Sequence, residues 1–87
     1  MRRQPGEWMN PVDDRILEFL AAEGASSPKI VADGLGNHPE YVGGRLRTLT
    51  DYDLVDRPGR GVYRITDAGE AYLAGELDAG ELEADEE

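Results

Sequence analysis

The chain has no cysteine, one histidine and one lysine among its 87 residues. Without cysteine there is no disulfide, no thiolate metal site and no thiol nucleophile. His38 alone cannot assemble a zinc site, which needs several ligands. Long apolar runs are missing too. Nothing approaches the roughly 20 residues that span a bilayer, and the opening MRRQPGEW lacks the apolar stretch of a signal peptide. These absences set the expectation of a soluble, cytoplasmic protein with no cofactor, no metal and no membrane association. The length allows one small domain, which buries only roughly 60–65% of its unfolded surface.

What is present is charge. The formal net charge is −10, unevenly spread. Residues 66–87 carry nine acidic side chains and no basic one. Residues 27–65 carry six basic side chains (Lys29, Arg45, Arg47, Arg57, Arg60 and Arg64) against five acidic ones. Phosphate repulsion therefore belongs to the C-terminal part, and the middle is locally positive. Arginine outnumbers lysine eight to one, among abundant Asp, Glu and Gly. Such a composition resembles that of proteins from extreme halophiles, where hydrated carboxylates keep a surface soluble and screening shrinks to about 3 Å at 1 M salt. An ordinary acidic protein with a disordered tail is the alternative.

Helix signals recur along the first two thirds. Asn10-Pro11 starts a helix over 11–23, with Val12, Ile16, Phe19 and Leu20 at helical spacing and Gly24 as its stop. Trp8 either packs back on it as a staple or faces a partner. Asp13 and Asp14 read as exposed helix-start acids. Ser27-Pro28 opens a second helix over 28–34, whose apolar stripe is Ile30, Val31 and Leu35, and Gly36 closes it. Pro39 opens a third over 39–51, with Asn37 or His38 as its cap and Val42, Leu46 and Leu49 on one face. The short link between these two is helix-turn-helix spacing.

Beyond them, Leu54-Val55 and Val62–Ile65 read as a strand and its return. Arg57-Pro58-Gly59-Arg60 between them fits a type II turn with Gly59 at its third position. Thr66 caps a last helix from Asp67, with Tyr72, Leu73 and Leu77 closing over the core. Residues 1–10 read as a loose arm, 11–77 as the domain and 78–87 as a fraying acidic tail.

The third helix carries the candidate chemistry. With Val42 at 0° and about 100° per residue, Leu46 falls near 40° and Leu49 near −20°, defining the buried side. Glu40, Gly44, Arg47 and Asp51 fall between about 140° and 200° and face outward. Arg47 can donate a fork to guanine, and Glu40 can accept from cytosine N4. Tyr41, Arg45 and Thr48 sit where phosphates would pass, and Lys29 on the second helix can assist. The same residues also suit a solvated face of a structural helix. Gly43-Gly44 is costly in a helix, which fits either close backbone approach to DNA or tight packing against the second helix. Arg57, Arg60 and Arg64 on the hairpin suit the minor groove or phosphates, or else charges that guard a strand edge. No nucleophile, base and orienter set exists, so an enzyme is not expected.

Two stretches carry a family resemblance: DDRILEFLAAEGASSPKIVADGL and YVGGRLRTLTDYDLVDRPGRGVYRITDAGEAYL. Over about residues 11–77 the chain resembles the winged-helix transcriptional regulators, and more narrowly the phage phi-H repressor-like proteins of halophilic archaea. The segment matching RLRTLTDYDLV usually ends in Gly-Leu-Val in that family, and here Asp53 stands at the glycine. The resemblance implies an α+β winged helix-turn-helix with a three-helix core, a two-stranded wing and a C-terminal helix. It further implies a regulator of transcription that binds double-stranded DNA and represses by occlusion. A homodimer is expected because one short recognition helix buries little surface, with the first helix, Trp8 and the last helix as its candidate interface. Winged helices also serve as protein-docking modules, which is the competing function.

Overall fold

A computed structural model describes residues 2–84. Three helices, α1 (Pro11–Glu23), α2 (Pro28–Leu35) and α3 (Pro39–Asp51), precede a hairpin of β1 (Val55–Gly59) and β2 (Val62–Ile65). A short α4 (Asp67–Leu73) and a 3-10 turn (Ala79–Glu81) follow. The architecture is the expected winged helix-turn-helix.

Local chemistry sets these limits. Pro occupies the first turn of α1, α2 and α3, where its missing N–H is no loss. The Ser27 hydroxyl accepts from the Ile30 N–H at 3.2 Å, capping α2. Thr66 caps α4 by accepting from the Gly69 N–H at 3.0 Å, and its own hydroxyl donates to the Asp53 carbonyl. Asp53 ends the turn after α3 with φ of 63°, the left-handed conformation that the glycine of the resemblance would take more cheaply.

The core lies where the three helices meet the root of the hairpin. Ile16, Leu17 and Leu20 pack with Val31, Ala32, Val42, Leu46 and Leu49, and Leu54, Val55, Tyr63 and Tyr72 close it. Each large aliphatic side chain removed from water contributes about 1.5–3 kcal/mol. Ser26, ahead of α2, exchanges two 2.9 Å backbone bonds with Tyr63, so the wing root is laced to the helix-turn-helix.

Five local expectations change. The hairpin reverses at Arg60-Gly61, not at Pro58-Gly59, and Gly61 takes the left-handed conformation with φ of 68°. Val55 pairs with Ile65, Asp56 with Arg64 and Gly59 with Val62, so Arg57 and Pro58 stand as a bulge opposite Tyr63. A bulge accepts the proline because it leaves a ladder position unpaired. Ile30 is 55% exposed, because Val31 and Ala32 supply the buried side of α2.

The described part of the arm and the start of the tail, around Arg3, Gln4, Asp78 and Ala79, are also more ordered than composition suggests. Gln4 bridges Asp78, the Arg3 guanidinium donates to the Leu73 carbonyl at 3.0 Å, and Ala79 is fully buried. Backbone hydrogen bonds do not depend on side-chain polarity, which is why composition misses them. Trp8 does not staple α1. Its ring stacks on Tyr52 at 3.7 Å between centroids, and its indole N–H donates to the Ala79 carbonyl at 3.0 Å. Finally, Asp13 and Asp14 are not free helix-start acids. Asp13 is fully buried against Arg45, and Asp14 accepts a 2.6 Å bond from the Tyr72 hydroxyl. The expectations of a loose arm at residue 1 and a fraying tail over residues 85–87 lie outside the described residues.

Candidate nucleic-acid interface

α3 lies across the core with Val42, Leu46 and Leu49 inward, which turns Glu40, Arg47 and Asp51 to solvent. Arg57 lies in the bulge of β1 and borders the same space as this helix. Gly44, Arg47, Thr48, Thr50, Asp51 and Arg57 thereby line one open concavity between helix and wing. A second depression, on the α2 side, is lined by Pro28, Pro39, Glu40, Gly43 and Arg47. Arg47 stands on the ridge between the two and borders both.

The arginines divide into used and available. Among the described residues, no carboxylate lies within ion-pair distance of Arg47, Arg57 or Arg60. The Arg57 guanidinium rests over the Tyr63 ring, 5.4 Å from its centroid, an attraction that orients it without neutralising it. Arg60 sits exposed in the two-residue loop at the wing tip. Arg64 is different: it donates to both Asp56 oxygens, at 2.9 and 3.3 Å, across the hairpin. Lys29 is held loosely to Asp33 at 3.3 Å, an exposed pair of little energetic weight.

Three α3 positions are placed less simply than their helical angles imply. Thr48 lines the concavity, but its hydroxyl donates back to the Gly44 carbonyl at 3.2 Å. Tyr41 is 44% exposed, and its hydroxyl accepts from the Asn10 amide at 3.1 Å. Arg45 points away from the concavity. Its guanidinium grips Asp13 at 2.9 and 2.7 Å and also donates to the Trp8 carbonyl at 3.0 Å. Hydrogen bonding to Asp13 pushes the Arg45 pKa above its ordinary value, so it stays charged. A phosphate role for Arg45 is therefore dropped. The signal was in the sequence: Arg45 falls near −60° on the helical wheel, about 40° from Leu49 at the edge of the apolar arc and well away from the outward residues at about 140° to 200°.

The glycine pair has no packing reason. A Cβ on Gly44 would meet only the tip of Arg47, at 3.8 Å. One on Gly43 would meet Arg47 at 3.7 Å and Pro28 at 3.8 Å, ordinary contact distances. Alanine fits at both positions, so packing against α2 does not explain a helix cost of about 1 kcal/mol per glycine. Glu40 and Asp51 bring acid to the same face, so the surface is mixed in charge rather than uniformly positive.

A helix-turn-helix whose second helix shares a concavity with the wing arginine Arg57 defines the class of this chain, a DNA-binding regulator of the winged-helix type. The match extends to a particular family: residues 1–85 fit the winged helix-turn-helix phage repressors, and the chain belongs to that family. The repressor protein of Halobacterium phage phiH is 35% identical over 82 residues, spanning 88% of this chain and 92% of that protein. The crystal structure of the PhiH1 repressor-like protein from Haloarcula marismortui superposes with a TM-score of 0.89 at 45% identity, covering 97% of this chain and 98% of that one. RV1404 from Mycobacterium tuberculosis superposes at a TM-score of 0.71 with 23% identity, over 79% of this chain and 51% of that one, a likeness of fold alone. The family is of repressor type. Among the described residues, no group of His, Asp and Glu is placed to hold a metal ion, and no helix is long and apolar enough to cross a membrane.

Proposed function

We propose that the chain is a sequence-specific repressor that reads the major groove with α3 and holds the flanking duplex with the wing. One observation carries this: Arg47, from the helix, and Arg57, from the wing, border the same concavity. A duplex seated there meets both at once. Arg47 then takes a base edge, with Glu40 beside it at the helix start, while Arg57 takes backbone phosphate and Arg60 reaches the adjacent minor groove. Gly44 lets the helix backbone approach closely. Thr48, Tyr41 and Lys29 contribute polar contacts at the rim, and Arg64 strengthens the wing through Asp56. A single recognition helix buries little surface, so occupancy by a homodimer on two half-sites is part of the proposal. The acidic, lysine-poor surface and the halophilic source of its relatives support work in a salt-rich cytoplasm.

Anisotropy titrations of labelled duplex over a KCl series test the reading. Each phosphate-bound arginine contributes about 0.9 to the slope of log K against log salt, a contribution that shrinks where ambient salt is already molar. Arg57→Ala should lower that slope, and Arg47→Ala should chiefly erase preference among sequences. Unaltered binding in both variants, together with loss of partner capture when residues 78–87 are removed, would favour a protein-docking module instead.

A further inference from the structure

We infer that the segment Trp8–Asn10 is a splint for the recognition helix, acting through Arg45 and its buried partner Asp13, and that it sets how α3 is presented to DNA. The inference rests on the DNA-binding reading and adds positioning residues along one flank of α3, beside the duplex-facing side.

The helix needs such support. α3 contains two adjacent glycines, has no side-chain hydrogen bond at its His38 cap, and ends in Asp51, an acid at the negative end of the helix dipole. The features that leave room for DNA also leave the helix intrinsically weak. Compensation comes from that flank, where the segment ahead of α1 follows α3 from start to end. The Asn10 amide donates to Tyr41 in its first turn, at 3.1 Å. The Trp8 carbonyl accepts from Arg45 in the middle, at 3.0 Å. The Trp8 ring stacks on Tyr52, the residue that closes the helix, with 1° between the planes. Positions 41, 45 and 52 form one stripe, because steps of four and seven return to nearly the same side of a helix.

Asp13 ties this stripe to the core. Its carboxylate accepts both arms of the Arg45 fork and also the Asn10 N–H, at 3.0 Å. The Asp13 side chain is 0% exposed and that of Arg45 is 17% exposed, so dissolved salt screens this pair far less than a surface one. A device that aims the helix in concentrated salt has to be buried in this way. The forked geometry also fixes rotation about the helix axis, which a point contact would not.

The test compares the full chain with Arg45→Lys and Asn10→Ser, the latter keeping a capping residue on α1, each at a temperature where it remains folded by circular dichroism. Two readouts are taken: amide exchange of residues 39–51 relative to α1 and α4, and affinity for two DNAs. The DNAs are a duplex enriched from a random-sequence pool by the unaltered chain, and poly(dI-dC). Local splinting predicts faster exchange confined to α3. It also predicts a loss of preference for the enriched duplex of about fivefold or more, the discrimination that one base contact supplies. Affinity for poly(dI-dC) should hold within about twofold, since the phosphate contacts are kept. Uniform acceleration of all helices, or an unchanged preference, overturns the splint. Should Arg45→Lys fail to fold, Asn10→Ser decides, because serine keeps a cap on α1, lacks the amide that reaches Tyr41 and leaves the ion pair intact. If the unaltered chain enriches no duplex, the DNA-binding reading fails, while confined exchange in α3 still reports on the splint.

Discussion

Replacing Gly44 with alanine separates stability from function in one variant. The backbone there is ordinary right-handed helix, and the added Cβ meets only the end of a flexible arginine at 3.8 Å. Alanine therefore recovers the helix cost of glycine, about 1 kcal/mol. For a domain of this size that gain corresponds to a rise in Tm of about 4–8 °C, read by circular dichroism at fixed KCl. The same methyl group enters the concavity between Arg47 and Arg57. If the helix backbone lies against a duplex there, overpacking by one methyl costs about 1–3 kcal/mol, or about 5–150-fold in affinity by anisotropy. Gly43→Ala is the comparison, because its Cβ meets Arg47 at 3.7 Å and Pro28 at 3.8 Å in the depression on the α2 side rather than in that concavity. A Gly44→Ala protein that melts higher and binds as before would refute the argument, leaving the glycine merely tolerated.

Two further outcomes follow from the fold. Asp53→Gly relieves a left-handed cost of about 1–2 kcal/mol, less about 0.5–1 kcal/mol of added unfolded-state freedom, and keeps the bond from Thr66 to the residue 53 carbonyl. Its Tm should rise by a few degrees in the same melt, and an unchanged or lower value would contradict the backbone assignment. Burial, followed by the hydrogen bond to Asp14, raises the Tyr72 pKa above its ordinary value. The unfolded chain ionises this phenol near pH 10 while the native one keeps its proton, so stability is fully present below about pH 10 and falls as pH rises beyond it. Urea unfolding at about pH 9 and pH 11 should show this decline, and Tyr72→Phe should flatten it; equal slopes would rule the linkage out.

Element identity was legible because its causes are local. Cap-plus-proline pairs and apolar spacing mark α1, α2 and α3 without reference to anything distant. The candidate face of α3 was legible for the same reason, since helical angle alone separates Arg47 from Leu46. Reading failed where a partner lies far along the chain. Asp13 looks like any first-turn acid until Arg45, 32 residues away, closes on it. Trp8 reveals nothing about Tyr52 or Ala79. The hairpin turn moved because Tyr63 is held by Ser26, fixing a register that puts the bulge at Arg57-Pro58 and the reversal at Arg60-Gly61.

Composition, periodicity and capping by themselves determined a small, acidic three-helix and hairpin chain with one arginine-bearing helix turned outward. Those properties depend on residues within a few positions of each other, so the order of amino acids suffices. Which arginines are available, and which are committed to carboxylates, only the tertiary structure decided. An ion pair depends on where two distant segments meet, and helix packing brings Arg45 to Asp13 while Arg57, in the β1 bulge, borders the same concavity as Arg47.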